Sequence, residues 1–92
     1  MSPLPEAADT QPGLQEDNHL ETFPAIFDEY QRPVYNYLLH MTQDASLAED
    51  LTLETFLRVY RGLPGFRGEA SLATWVYRIA TNISLDHFRR RS

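Results

Sequence analysis

The chain has 92 residues, 42% of them hydrophobic, no cysteine and a formal net charge of −5. That length allows one small domain, and the missing thiols exclude a disulfide framework or a thiolate metal site. No apolar run reaches membrane-spanning length, and the N-terminus lacks a basic-then-apolar secretion pattern, so a cytoplasmic, reducing setting is the expectation.

The net charge hides a division. Residues 1–19 carry Glu6, Asp9, Glu16 and Asp17 with no basic residue. Residues 20–57 carry seven carboxylates against Arg32 alone, and residues 58–92 carry seven arginines against Glu69 and Asp86. An acidic front and a basic back suit two different partners.

Residues 1–19 hold Pro3, Pro5, Pro12 and Gly13 and little that is apolar. Their composition predicts a disordered acidic tail, with the folded part in residues 20–92. Shielding of the basic end is one reading of this tail, and a solvated leader is the commoner one.

The first helix is expected to begin near Thr22, with Pro24 tolerated in its first turn, and to end around 42–44. Phe23, Phe27, Tyr30, Val34, Tyr37 or Leu38, and Met41 recur at helical spacing and predict its buried stripe. Pro33 lacks an N–H and crowds the carbonyl of Glu29, so a kink or break is expected there.

The second helix is expected to open at Ser46-Leu47-Ala48-Glu49, which has capping-box form. It should stop at Gly62, with Pro64 just beyond. Leu47, Leu51, Phe56, Leu57 and Tyr60 are its apolar residues. Asp50 and Glu54 stand four apart on one face, where like charges cost a few tenths of a kcal/mol. A solvated face tolerates that, and a docking surface for a basic partner would use it.

The connection from Gly62 to Ala70, GLPGFRGEA, has the glycines and proline of a tight, defined path. Phe66 and Arg67 at its centre offer a ring and a cation. Exposed, they suit a flipped base, whereas a buried Phe66 would pin the loop to the core.

Ser71 is the expected N-cap of the last helix. Leu72, Val76, Ile79 and Ile83 form its inward stripe. Trp75, Arg78, Asn82, Asp86 and Arg89 form a second line. An aromatic ring, an amide and guanidiniums can stack on an unpaired base, bond its edge and hold phosphates, with Arg89, Arg90 and Arg91 adding positive charge. The ordinary alternatives are a core Trp and a solvated, dipole-compensating arginine end.

No phosphate-binding glycine loop, metal-spaced histidine pair or catalytic triad is present in the sequence. His19, His40 and His87 are isolated, and His40 reads as a surface or C-cap residue. The expectations are an all-α fold, no enzyme activity and no cofactor.

Two blocks carry a family resemblance. Residues 50–61, DLTLETFLRVYR, resemble region 2.2 of bacterial RNA polymerase sigma factors. Residues 66–71, FRGEAS, with 75–82, WVYRIATN, then Asp86 and Arg89, resemble regions 2.3 and 2.4. The chain is thus similar to domain 2 of the sigma-70 family, in the extracytoplasmic-function group, over roughly residues 27–91. The resemblance implies a compact bundle of three to four helices. It implies docking on the clamp helices of the polymerase β′ subunit through Asp50, Leu51, Leu53, Glu54 and Arg58. It implies capture of a flipped base of the −10 promoter element, non-template strand, by the loop with Leu63, Phe66 and Arg67 and by Trp75, Arg78 and Asn82. An anti-sigma factor joins the implied partners, and a membrane does not. Two departures stand out. Leu53 occupies a place where the family usually has Gln, and Trp75 is followed by Val76 where primary sigma factors have paired tryptophans. The competing readings are a helix-turn-helix module for duplex DNA and a protein-interaction module without DNA binding.

Overall fold

The computed structural model describes residues 22–91, so the tail expected over 1–19 lies outside the described residues. Three helices form: α1 over Phe23–Thr42, α2 over Ala45–Gly62 and α3 over Leu72–Arg91, with a 3₁₀ turn at Leu63–Gly65. No strand occurs among the described residues.

Local chemistry sets the ends of α1. Thr22 is extended and Pro24 lies in the first turn, where its missing N–H costs no helix bond. At the other end Gln43 turns left-handed at φ 57°. Its backbone N–H donates to the Leu39 carbonyl at 2.8 Å, and its side-chain amide donates to the His40 carbonyl at 2.7 Å. These bonds satisfy carbonyls that would otherwise be orphaned. His40 sits exposed in the last turn.

Of the kink or break expected at Pro33, the break does not occur: α1 is a single helix through it. Pro33 and Glu29 are both exposed, so the carbonyl that loses its partner stands on the solvent side and water can serve it. A second expectation also fails. The N-cap of α2 is Asp44, not Ser46: the Leu47 N–H donates to the Asp44 carboxylate at 3.1 Å. The helix has already begun when it reaches Ser46, so the capping-box pattern falls inside the first turn. Ser71 does cap α3, with the Thr74 N–H donating to its hydroxyl at 3.1 Å.

Contacts between side chains give the directions. Phe23 meets Tyr60 and Phe27 meets Phe56, with ring centroids 5.3 and 5.1 Å apart. The start of α1 therefore lies by the end of α2, and the two run antiparallel. Tyr37 meets Tyr77 at 5.3 Å and shares a 2.6 Å hydrogen bond with Thr81, while Met41 lies by Ser84. Rising numbers pair with rising numbers, so α1 and α3 run parallel.

The core draws Ile26, Val34 and Leu38 from α1, Ala48, Leu51, Phe56 and Val59 from α2, and Val76, Ala80 and Ile83 from α3. Each buried Val, Leu or Ile contributes about 1.5–3 kcal/mol. The two ion pairs, Arg58–Glu54 and Arg89–Asp86, are solvent-exposed, and such pairs contribute at most about 1 kcal/mol each. Apolar packing therefore holds the bundle. Three buried polar side chains are satisfied: Thr52 and Thr55 donate to the carbonyls of Ala48 and Leu51, both at 2.7 Å, and Ser84 to that of Thr81 at 3.2 Å, whereas the buried Nε2 of His87 has no partner.

The placement of the α2 cap has a direct test. Asp44→Ala should lower unfolding free energy by about 1 kcal/mol, whereas Ser46→Ala should change it by less than about 0.5 kcal/mol. Urea unfolding followed by circular dichroism distinguishes the two.

Candidate nucleic-acid interface and docking helix

The end of α2, the loop and the start of α3 are joined by one indole. Trp75 stacks on Phe66, with ring centroids 4.7 Å apart and planes 29° from parallel. The far edge of the same indole lies so close to Gly62 that a Cβ there would be 3.0 Å from Cζ2. A side chain at this position would be in tight contact with the ring, which would have to shift by a few tenths of an ångström. Leu63 packs on the core beside it, and the Phe66 N–H donates to the Leu63 carbonyl at 3.0 Å, closing the turn. Farther along, Gly68 adopts φ 80°, a conformation that disfavours any side chain.

Of the two readings open for Phe66, the pinning one describes the free protein: the ring is half-buried against Trp75. Its other surroundings form a cleft of about 610 Å³ lined by Phe23, Tyr60, Arg61, Leu63, Pro64 and Phe66. Tyr60 and Arg61 are both exposed, and sequence reasoning did not place them here. The signal that could have found them is position: they are the last residues before Gly62, where the helix delivers its side chains to the loop. Arg67 points from the loop as an exposed cation.

Arg78 and Asn82 are exposed one turn apart on α3. With Ala73, Thr74, Tyr77 and Thr81 they line a second, shallow cleft of about 490 Å³. Tyr77 and Thr81 were missed by the helical line drawn through Trp75. Their hydroxyl and ring are held from beneath by Tyr37 of α1, a long-range contact no local spacing reveals. The expected line thus divides in two, with Trp75 holding the loop while Arg78 and Asn82 line the cleft. Arg89, Arg90 and Arg91 are exposed at the end of α3, and the Arg89 guanidinium donates to Asp86 at 2.7 Å.

On α2, Asp50 and Leu53 are exposed, with Leu53 open over 64% of its surface. Glu54 is partly exposed and accepts from the Arg58 guanidinium at 3.1 Å. Leu51 is a correction: it is 5% exposed and belongs to the core. The cause is the helical period, because a residue next to Asp50 turns about 100° away from it. Among the described residues no group of three or more His, Asp or Glu could hold a metal ion, and no helix is long and apolar enough to cross a membrane.

The role of the indole predicts that Gly62→Val displaces it. Overpacking of this kind costs about 1–3 kcal/mol. The single Trp makes the displacement visible as a shift of intrinsic fluorescence toward that of the unfolded chain, together with a lower melting temperature.

Residues 26–92 match the Sigma-70 region 2 family. The chain is 35% identical over 71 residues to the ECF RNA polymerase sigma factor SigX of Bacillus subtilis, covering 77% of this chain and 37% of that protein. It is 35% identical over 69 residues to the RNA polymerase sigma-H factor of Pseudomonas aeruginosa, covering 75% and 36% respectively. With the ECF RNA polymerase sigma factor SigG of Mycobacterium tuberculosis the identity is 38% over 91 residues, covering 99% of this chain and 24% of that protein. The chain spans well under half the length of each of these relatives. No solved structure matches. With the family match running from the first turn of α1 through the end of α3, the chain belongs to the sigma-70 region 2 family.

Proposed function

We propose that this chain is the part of an extracytoplasmic-function sigma factor that holds core RNA polymerase through α2 and takes the unpaired non-template strand of the −10 element on its loop and α3. The observation that carries this reading is the family match over 26–92, joined to the solvent exposure of Asp50 and Leu53 on one helix and of Arg67, Arg78 and Asn82 elsewhere. The work is binding, not bond chemistry, and the protein acts where the polymerase is, in the cytoplasm. An anti-sigma factor is the third partner of this reading.

The roles divide as follows. Asp50 and Glu54 meet basic groups of the β′ clamp helices. The stacked Phe66–Trp75 pair fixes the loop path, so that Leu63, Phe66 and Arg67 present one captured base with a wall and a cation. Arg78 and Asn82 hydrogen-bond the strand beside it. Stacking on such a wall supplies about 1–3 kcal/mol per base. Arg89, Arg90 and Arg91 attract phosphates without regard to sequence, and salt weakens that attraction. Because the loop and α3 bind unpaired bases better than paired ones, their differential affinity shifts the promoter toward the open form.

The test is fluorescence anisotropy with a labelled non-template −10 oligonucleotide, single-stranded and as duplex, beside a polymerase pull-down. The single strand should bind more tightly, and preference for the duplex would end this reading in favour of a duplex-reading module. Asn82→Ala and Arg78→Ala should each weaken strand binding roughly tenfold, the loss of one hydrogen bond of about 1.4 kcal/mol, and leave polymerase affinity as it was. Glu54→Arg should do the reverse.

A further inference from the structure

The outward side of α2 carries apolar residues that the bundle leaves uncovered. Leu53 is 64% exposed, Leu57 53% and Tyr60 62%. Asp50, Leu53, Leu57 and Tyr60 follow one another at steps of three, four and three, the alternation of a stripe that packs lengthwise against another helix. The opposite side, with Ala48, Thr52, Thr55 and Val59, is buried in the bundle. The ends of the stripe differ in charge. Asp50 stands at its N-terminal end and Arg61 just past Tyr60 at its C-terminal end, both exposed. Among the described residues neither has an ion-pair partner. Glu49 is exposed beside Asp50, but it shares a groove between α1 and α2 with Arg32. Asp50 is therefore the carboxylate left to be met from outside.

A stripe that is acidic at one end, basic at the other and apolar between is complementary to itself turned end for end. Thr55 is its midpoint: Leu53 and Leu57 lie two residues to either side, Asp50 and Tyr60 five. An antiparallel copy centred there sets each Leu53 level with the partner's Leu57. It sets each Asp50 level with the partner's Tyr60 and one residue's rise, about 1.5 Å, from the partner's Arg61. Asp50 and Arg61 also share a flank of the stripe, because eleven residues make about three turns. In a twofold antiparallel pair the same flanks meet. Glu54 approaches its own copy at the middle of that flank, where Arg58 already offsets its charge at 3.1 Å. We propose that the partner of this stripe is a second copy of the chain. Two molecules pair through α2, antiparallel about a twofold axis, with Leu53 and Leu57 of both copies at the centre and an Asp50–Arg61 ion pair at each end. The contact is isologous and closes at two copies. One helix against one helix is a small interface, of the weak and exchanging class. Resting on the docking role argued above, the pairing covers the face that takes polymerase, and the dimer is a store from which polymerase draws single chains.

The test is sedimentation velocity of the full chain from about 1 to about 100 μM, a range that small interfaces span. Monomer should give way to dimer as concentration rises. Leu53→Ser combined with Leu57→Ser, both at exposed positions, should leave the circular dichroism melt in place and keep the chain monomeric throughout. Asp50→Arg and Arg61→Glu should each weaken self-association about tenfold, because each brings like charges together at both ends of the dimer. Mixed in equal amounts, these two variants should recover the dimer, since each end of the mixed pair again joins a cation to a carboxylate. A parent that stays monomeric at the higher concentration overturns the proposal, as does a dimer that survives the double leucine change. A mixture that fails to recover overturns the antiparallel register. Core polymerase added to the dimer should take up single chains. Polymerase that captures the intact dimer overturns the store, whereas polymerase that binds neither form ends the docking role and leaves the pairing standing.

Discussion

The close approach of Trp75 to Gly62 is the contact on which the arrangement of both surfaces depends. One face of the indole meets Phe66 and one edge meets the last residue of α2. A single large side chain therefore ties the end of α2, the loop and the start of α3 together. Aromatic packing of this kind adds about 0.5–1.5 kcal/mol beyond area burial. That is small beside the core, yet it acts on geometry, adding to the anchors at Leu63 and the Ser71 cap.

This arrangement changes what the lone Trp means. In isolation the residue reads as a stacking surface for a base. In the folded chain its ring is already occupied, and the exposed groups nearby are Tyr60, Arg61 and Arg67. The exposed ring and cations beside the loop therefore come from the end of α2 and from the loop itself. Trp75 itself is stacked on Phe66 and lies against Gly62. Arg78 and Asn82 lie farther along α3, on a cleft braced by Tyr37 through Thr81 and Tyr77.

Much of the fold was legible because it is local. The inward stripe of α3, the Ser71 cap and the stop at Gly62 all rest on spacing or on a residue's own conformational preference, and both survive folding. The Pro33 break was not legible, because a proline's cost depends on which side of the helix faces water. The α2 cap was misplaced by two residues because Asp44 and Ser46 are both good caps, and only the left-handed turn at Gln43 decides between them. Burial of Thr52 and Thr55 was hidden for the same kind of reason: a hydroxyl that bonds its own helix four residues back is apolar to its neighbours. At the site, Arg78 and Asn82 came from spacing, while Tyr77, Thr81, Tyr60 and Arg61 came from contacts between elements far apart in the chain.

The two surfaces share one element, and that has a mechanical consequence. The outward stripe of α2 runs from Asp50 to Tyr60, and the next two residues are Arg61, which lines the loop cleft, and Gly62, which meets the indole. The exposed stripe therefore ends within one turn of the loop cleft. Nothing between the two sites needs to move for one to position the other, because the joint is the body of α2 itself, packed on both α1 and α3. Coupling through a rigid helix carries orientation rather than a change of state. On the reading proposed above, docking positions a cleft that the free chain already holds formed.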